Sequence, residues 1–338
     1  MPTRRTCRRY TLTVCTLTLL AWAGFLGHLI LLDPLQIYHK PLGRKTYFVR
    51  DLRLQAAGII NNYDFDSMIL GTSMAQNFSP VEASELWRAN FVNLSPDGSS
   101  LYERSLLLGY ALHKKKIKNV ILSLDNIWIA NPSSNRYPVE NFAMLYNDNP
   151  FDDVLVYINL KYLYCREPGH PKCRLPAQTR NDLQTLAEWG SIEEHRKRFG
   201  GLAMWFAAEN SSQIQNALRR ITNAAKIIKS GKTKRLSETT MAQQMKEFKK
   251  SFDLYLLQYV RNNPGTNFYL FFPPYSRLDF AIRIQTSPDE FELYTQQIRY
   301  VVNRLNDLAN AKVFGFERLD FLDDLANYKD TGHYHPRF

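Results

Sequence analysis

The sequence predicts an α/β fold with a parallel central sheet, an N-terminal membrane helix and a long insertion. Three observations predict it. Short apolar runs alternate with segments of helical period from Ser67 onward, the pattern of strands joined by crossover helices with helices on both faces of the sheet. Arg4, Arg5, Arg8 and Arg9 precede an uncharged run from Tyr10 to Leu32, which as a helix spans roughly 34 Å and is long enough to cross a bilayer. The stretch from Ile129 to about Ser237 breaks the alternation; it is aromatic and loop-rich, as excursions that form lids or substrate walls often are.

The boundaries that follow are residues 1–32 for a short stub and anchor, 33–62 for a connector, and 63–338 for the folded domain with an insertion at about 129–237. Arginines before an apolar run favour a cytoplasmic N-terminus, with all that follows Asp33 on the far side. A cleaved signal peptide is the alternative; the run is longer than the usual apolar region of one, and no convincing small-x-small site precedes Asp33. An uncleaved anchor is therefore expected.

Taken in order, Asp51 to Asn61 reads as a helix and Ser67 to Gly71 as the first strand of the sheet. Pro80 to Trp87 is helical, Asn90 to Leu94 a second strand, and Leu101 to His113 a helix with Leu101, Ser105, Leu108 and Leu112 on one stripe. The run Lys114–Lys118 closes that helix with charges that suit its dipole. Asn119 to Leu124 is the clearest strand. Within the insertion, Asp153 to Tyr164 and Ile214 to Lys229 are expected helices. Thr239 to Asn262 is a helix stopped by Pro264-Gly265, Asn267 to Phe272 a strand, Pro288 to Ala309 a helix with proline at its start, and Lys312 to Phe316 the last strand.

The chain has 338 residues, 43 Lys and Arg against 32 Asp and Glu, and a formal net charge of +11. A basic surface suits nucleic acid, anionic lipid or an acidic polymer. No zinc-finger or RNA-binding signature is present, and placement beyond the membrane argues against nucleic acid. Of four cysteines, Cys7 and Cys15 lie in or beside the anchor. Cys165 and Cys173 bracket a short polar loop on the expected outer side, where an oxidising compartment permits a disulfide. Recruiting His170 for a metal site leaves a ligand missing and a spacing unlike the common zinc patterns, so no metal is expected.

The chemistry-bearing residues fall at predicted strand ends. Ser73 lies in Gly71-Thr72-Ser73, after the first strand. Gly98 lies in Pro96-Asp97-Gly98-Ser99, after the second. Asp125-Asn126 follows the third, and Asp330-Thr331-Gly332-His333 follows the last. A parallel sheet brings these carboxyl ends to one edge, where open α/β folds keep their sites. Each has a plainer reading alone: a capped turn at Ser73, a turn glycine at Gly98, a helix cap at Asp125-Asn126, a surface loop at His333. Together they supply a nucleophile, a base and an orienting carboxylate.

This order resembles the SGNH (GDSL-type) hydrolase superfamily across roughly Ser67 to Tyr334, the insertion excepted. Asp330 and His333 fit its closing Asp-x-x-His. Ser73 fits the nucleophile position, with Thr72 where Asp is usual, as in the branch that acylates envelope polymers, including alginate O-acetylation proteins and the D-alanyl transfer protein of teichoic acids. Gly98 matches the second block loosely, and Asp125-Asn126 is similar to the third in altered order. The resemblance implies a three-layer, flavodoxin-like fold; catalytic Ser73, Asp330 and His333; and oxyanion donors at Ser73, Gly98 and Asn126. It implies no cofactor. An O-acyltransferase or esterase in a bacterial inner membrane, facing the periplasm, is the expected function, with an envelope polysaccharide, anionic or not, as partner and a multispanning membrane protein delivering the acyl group. An inactive scaffold of the same fold is the competing expectation.

Overall fold

The structure, a computed structural model, describes residues 4–125, 127, 138–158 and 179–337. Its centre is a five-stranded, all-parallel sheet: β2 (Ser67–Leu70), β3 (Phe91–Asn93), β4 (Asn119–Ser123), β6 (Asn267–Phe271) and β7 (Ala311–Phe314), in the spatial order β3-β2-β4-β6-β7. Met68 pairs with Val92 on one side and Val120 on the other, and Ile121 pairs with Tyr269. Parallel neighbours require crossover connections, and the helices predicted between the strands supply them: α3 (Pro80–Trp87), α4 (Leu101–Lys114), α8 (Glu238–Phe252) with α9 (Gln258–Asn262), and α11 (Pro288–Asn306), while α2 (Leu52–Asn62) precedes β2. The apolar α1 (Arg4–Leu32) precedes them.

Local chemistry explains the helix starts. The Asp51 and Ser79 side chains accept from backbone N–H groups at the heads of α2 and α3. Ser100 and Glu103 form a reciprocal capping box on α4. The strands alternate between two faces. Met68, Leu70, Val120, Leu122, Phe268 and Leu270 join the main core with residues of α2, α4, α8 and α11. Ile69, Ile121 and Phe271 face the other side, where Ala83 of α3 meets them. Helices were expected over both faces; on the second, the β4–β6–β7 portion borders an apolar groove of about 480 Å3 lined by Ile121, Tyr269, Phe271, Phe314 and Phe316.

Several elements depart from expectation. A two-stranded antiparallel ribbon, β1 (Phe48–Val49) with β5 (Thr179–Arg180), ties the connector to the insertion. The described part of the helix expected from Asp153 is a 3-10 turn, Asp153–Tyr157. The helix expected from Thr239 to Asn262 is interrupted by a π turn at Asp253–Leu257. Helix α10 (Arg277–Thr286) was not anticipated; Ser276 caps it. The insertion also carries α5 (Glu193–Arg196), α6 (Leu202–Ala207) and α7 (Ser212–Ser230); α7 packs against α10.

Candidate active site

The turn after β2 is held by its own backbone and by side chains from four other segments. Gly71 is required there: a Cβ would lie 2.6 Å from that of Ala75 and 2.8 Å from Ser123 Oγ. The Thr72 hydroxyl donates to Asp125 Oδ2 and accepts from the Met74 N–H at 3.2 Å. Asn93 Nδ2 donates to the carbonyls of Ala75 (2.8 Å) and Phe78 (3.0 Å). The Tyr334 hydroxyl donates to the Met74 carbonyl. Half-buried Ser73 sits at the head of this turn.

The loop after β7 returns to meet it. Residues 328–334 form a tight hairpin, with Tyr328 bridged to Tyr334 and the Lys329 N–H donating to the His333 carbonyl at 3.0 Å. The Ser276 hydroxyl donates to the Thr331 carbonyl at 2.6 Å, Arg220 of α7 donates to the Thr331 hydroxyl at 2.8 Å, and the Trp205 indole N–H of α6 donates to the Tyr328 carbonyl at 3.1 Å. Two elements of the insertion therefore fix this loop.

The structure brings Ser73, His333 and Asp330 together in one line at the carboxyl edge of the sheet. Ser73 Oγ is 2.8 Å from His333 Nε2, and His333 Nδ1 is 2.8 Å from Asp330 Oδ2. Asp330 Oδ1 also accepts from the N–H groups of Gly332 and His333, each at 2.9 Å. Burial alone would raise the Asp330 carboxyl; the His333 ring and these hydrogen bonds outweigh it and hold the group well below the usual carboxylate range. A carboxylate on Nδ1 fixes the tautomer in which Nε2 accepts the serine proton.

Gly98 follows β3 in a left-handed turn, φ +56°. Its neighbours anchor it: Arg53 donates to the Asp97 carbonyl, and the Ser99 hydroxyl donates to the Gly71 carbonyl at 3.1 Å, joining this loop to the serine turn. Among the described residues, the N–H groups of Ser73 and Gly98 bond to no protein acceptor. Asp125 is a buried brace behind the serine, with Ser123 and Thr72 donating to its carboxylate. The fully buried Arg104 lies 3.7 Å from Asp125 Oδ1 and donates to the carbonyls of Ser123 and Asp125. Asn126, Cys165 and Cys173 lie outside the described residues, so the third oxyanion position and the expected disulfide have no structural account.

Three further residues take part that the sequence had not marked as site residues. Trp189, in the insertion, donates its indole N–H to the Ser73 carbonyl at 2.8 Å and sets its ring edge-on to His333 at 5.7 Å. The backbone N–H groups of Trp189 and Gly190 donate to Asn77 Oδ1, at 3.1 and 2.8 Å. Lys329, 2% exposed, places its ammonium 3.6 Å from the centre of the Trp189 ring. Burial lowers this lysine to about 8, against the pull of Asp330. His195 lies edge-on to Trp189; burial first, then the charges of Lys329 and Arg198, lower it to about 3. Of the three, Lys329 alone adjoins a motif the sequence singled out, immediately before Asp330.

Compared with known protein families, curated proteins and solved structures, the chain matches none.

Proposed function

We propose that this chain is a membrane-anchored, serine-dependent acyl-transfer enzyme of SGNH type, an O-acyltransferase or esterase acting on an envelope polysaccharide. The observation that carries the reading is the continuous Ser73–His333–Asp330 line, with 2.8 Å at both contacts. In this reading the fold is the three-layer, flavodoxin-like one, and Gly98 and Asn126 belong to the oxyanion site.

His333 Nε2 takes the Ser73 proton as Oγ attacks the acyl carbonyl, and Asp330 offsets the imidazolium charge. The N–H groups of Ser73 and Gly98 bind the oxyanion; one such donor is worth about 2.7–4 kcal/mol of barrier. The tetrahedral centre collapses, the donor's leaving group departs with the proton from His333, and an acyl-Ser73 ester remains. An acceptor hydroxyl then gives its proton to His333 and attacks the ester. The new ester leaves and Ser73 recovers its proton. Water in place of the acceptor makes the same sequence hydrolysis.

The arginine-flanked α1, with one 18-residue window of mean hydropathy 1.9, supports an anchor in a bacterial inner membrane with the domain in the periplasm. The basic balance supports an anionic glycan as acceptor. Delivery of the acyl group falls to a multispanning partner. The direct test is a fluorophosphonate probe followed by intact mass: one adduct at Ser73 is expected. An unlabelled serine would leave the domain as a scaffold in a polysaccharide-modifying complex.

A further inference from the structure

The apolar helix does not reach the domain through a loose tether. Its last two turns enter the main core: Phe25 packs against it, Leu29 is fully buried, and Leu35 and Ile37 follow immediately after. Asp33 knots the exit. Its Oδ1 accepts from the Ile37 N–H at 2.9 Å and the Tyr157 hydroxyl at 2.5 Å, and its Oδ2 accepts from the N–H groups of Tyr38 and His39, each at 2.9 Å. Arg44 donates to the terminal carbonyls of Leu32 and Asp33, at 3.4 and 2.9 Å, where a cation suits a helix end. Tyr157 belongs to the 3-10 turn Asp153–Tyr157, and the Tyr38 hydroxyl donates to the Pro150 carbonyl at 3.2 Å. The segment 150–158 is thus fastened beside the end of the helix.

This joint sets a length problem. The uncharged run Tyr10–Leu32 is about 34 Å long, against a hydrocarbon layer of about 30 Å. The protein begins to cover it at Phe25. The portion free on all sides, Tyr10 to Gly24, spans only about 22 Å. A helix that crosses the whole layer therefore carries the protein surface around Phe25–Leu32 about 8 Å into it. On that surface, Phe151 is 86% exposed, Leu155 53% and Ile158 42%. The nearby acids are subdued. Asp148 faces Lys114 and His113, Asp152 accepts from Asn147, and Asp153 is buried, its carboxyl pushed up to about 6 by that burial and by Asp152.

We propose that the 150–158 segment is a membrane-contact surface, with Phe151, Leu155 and Ile158 seated among the phospholipids of the leaflet from which α1 emerges. The proposal rests on the reading of α1 as a membrane span. It makes the domain a seated body rather than a tethered one, so the orientation of Ser73 toward the bilayer is fixed by the fold.

The test places the photo-crosslinker benzoylphenylalanine, one position at a time, at Phe151, Leu155, Leu20 and Phe206 of the full chain. The chain is held in nanodiscs of phosphatidylethanolamine and phosphatidylglycerol. Leu20 reports the anchor, and Phe206, 59% exposed on α6 beside the active-site loop, reports bulk surface. Lipid adducts by intact mass are expected at 20, 151 and 155, at least about tenfold above 206, as burial in an interface requires. Adducts at 20 with background at 151 and 155 overturn the contact surface and leave the anchor standing. Background at 20 overturns the anchor and the proposal with it. Crosslinks from 151 or 155 to a second copy of the chain, without lipid, overturn the proposal in favour of a protein interface.

Discussion

Trp189 touches both halves of the candidate site, the Ser73 carbonyl through its indole N–H and the His333 ring through its edge. Removing that donor leaves a carbonyl of the nucleophile turn without its partner, at a cost of about 1–3 kcal/mol. Trp189→Phe is therefore expected to lower the unfolding midpoint and slow labelling of Ser73 by a fluorophosphonate; an unchanged labelling rate would separate Trp189 from the chemistry. Lys329 gives a prediction with a sign. Its folded pKa of about 8 lies below the ordinary 10.5. The buried charge therefore costs stability fully below pH 8, and that cost is relieved as pH rises toward 10.5, because the unfolded chain binds more protons over this window. The whole effect is about 3 kcal/mol. Urea unfolding of Lys329→Met against the parent from pH 7.5 to 10.5 reads it: the parent should gain stability relative to the variant across the window, and parallel curves would contradict the assignment. Neither residue was legible as a participant beforehand. An aromatic residue in a loop-rich insertion has no periodicity that points to a partner 116 residues away.

At the scale of elements, strand ends hold the site and a buried ion pair holds the strand ends. Asp125 at the end of β4 meets Thr72 at the end of β2, and Arg104 of α4 closes the set with no exposed surface. Asp125→Asn leaves the Arg104 guanidinium buried without its counter-charge, a change expected to cost about 3–5 kcal/mol. Adding Arg104→Met to the same chain should recover part of that loss, as measured by urea unfolding; no recovery would mean that the pair is not what the substitution breaks. The pairing was hidden in the sequence because Asp125 stood where a resemblance suggested an oxyanion donor at its neighbour. Two helices were legible: Pro80–Trp87 lies where it was expected, and the helix expected at Leu101–His113 from its apolar stripe runs from Leu101 to Lys114, with the Ser100–Glu103 capping box at its head. Helix α10 was not legible although the Ser276 side chain accepts from the Asp279 N–H at its head, because Pro273-Pro274 just before it reads as a loop. Two-residue strands such as β1 and β5 carry too little pattern to be read at all.

For the whole molecule, the parallel sheet does what no local signal can: it brings residues 260 positions apart to 2.8 Å. That meeting was legible in outline because strand order alone sends the loops after β2 and β7 to one edge. The walls around it were not, since α6, α7 and Trp189 reach the site through contacts between distant segments. The apolar N-terminal helix was legible from length and composition; its packing into the core was not. A reporter phosphatase fused after Phe338 is expected to be active beyond the cytoplasm; activity only as a cytoplasmic reporter would reverse the topology.

The central claim is an activated serine, and one measurement meets it directly: intact-mass labelling of the purified full chain by a fluorophosphonate. The parent is expected to take one adduct at Ser73, and Ser73→Ala none, with its unfolding midpoint unchanged, since a turn hydroxyl adds little to the core. His333→Ala should lose nearly as much, because residues that act as a unit fail together. Asp330→Asn should lose less than either, since it keeps nucleophile and base in place. Labelling of Ser73→Ala equal to the parent, or a folded parent that takes no label, would contradict the account.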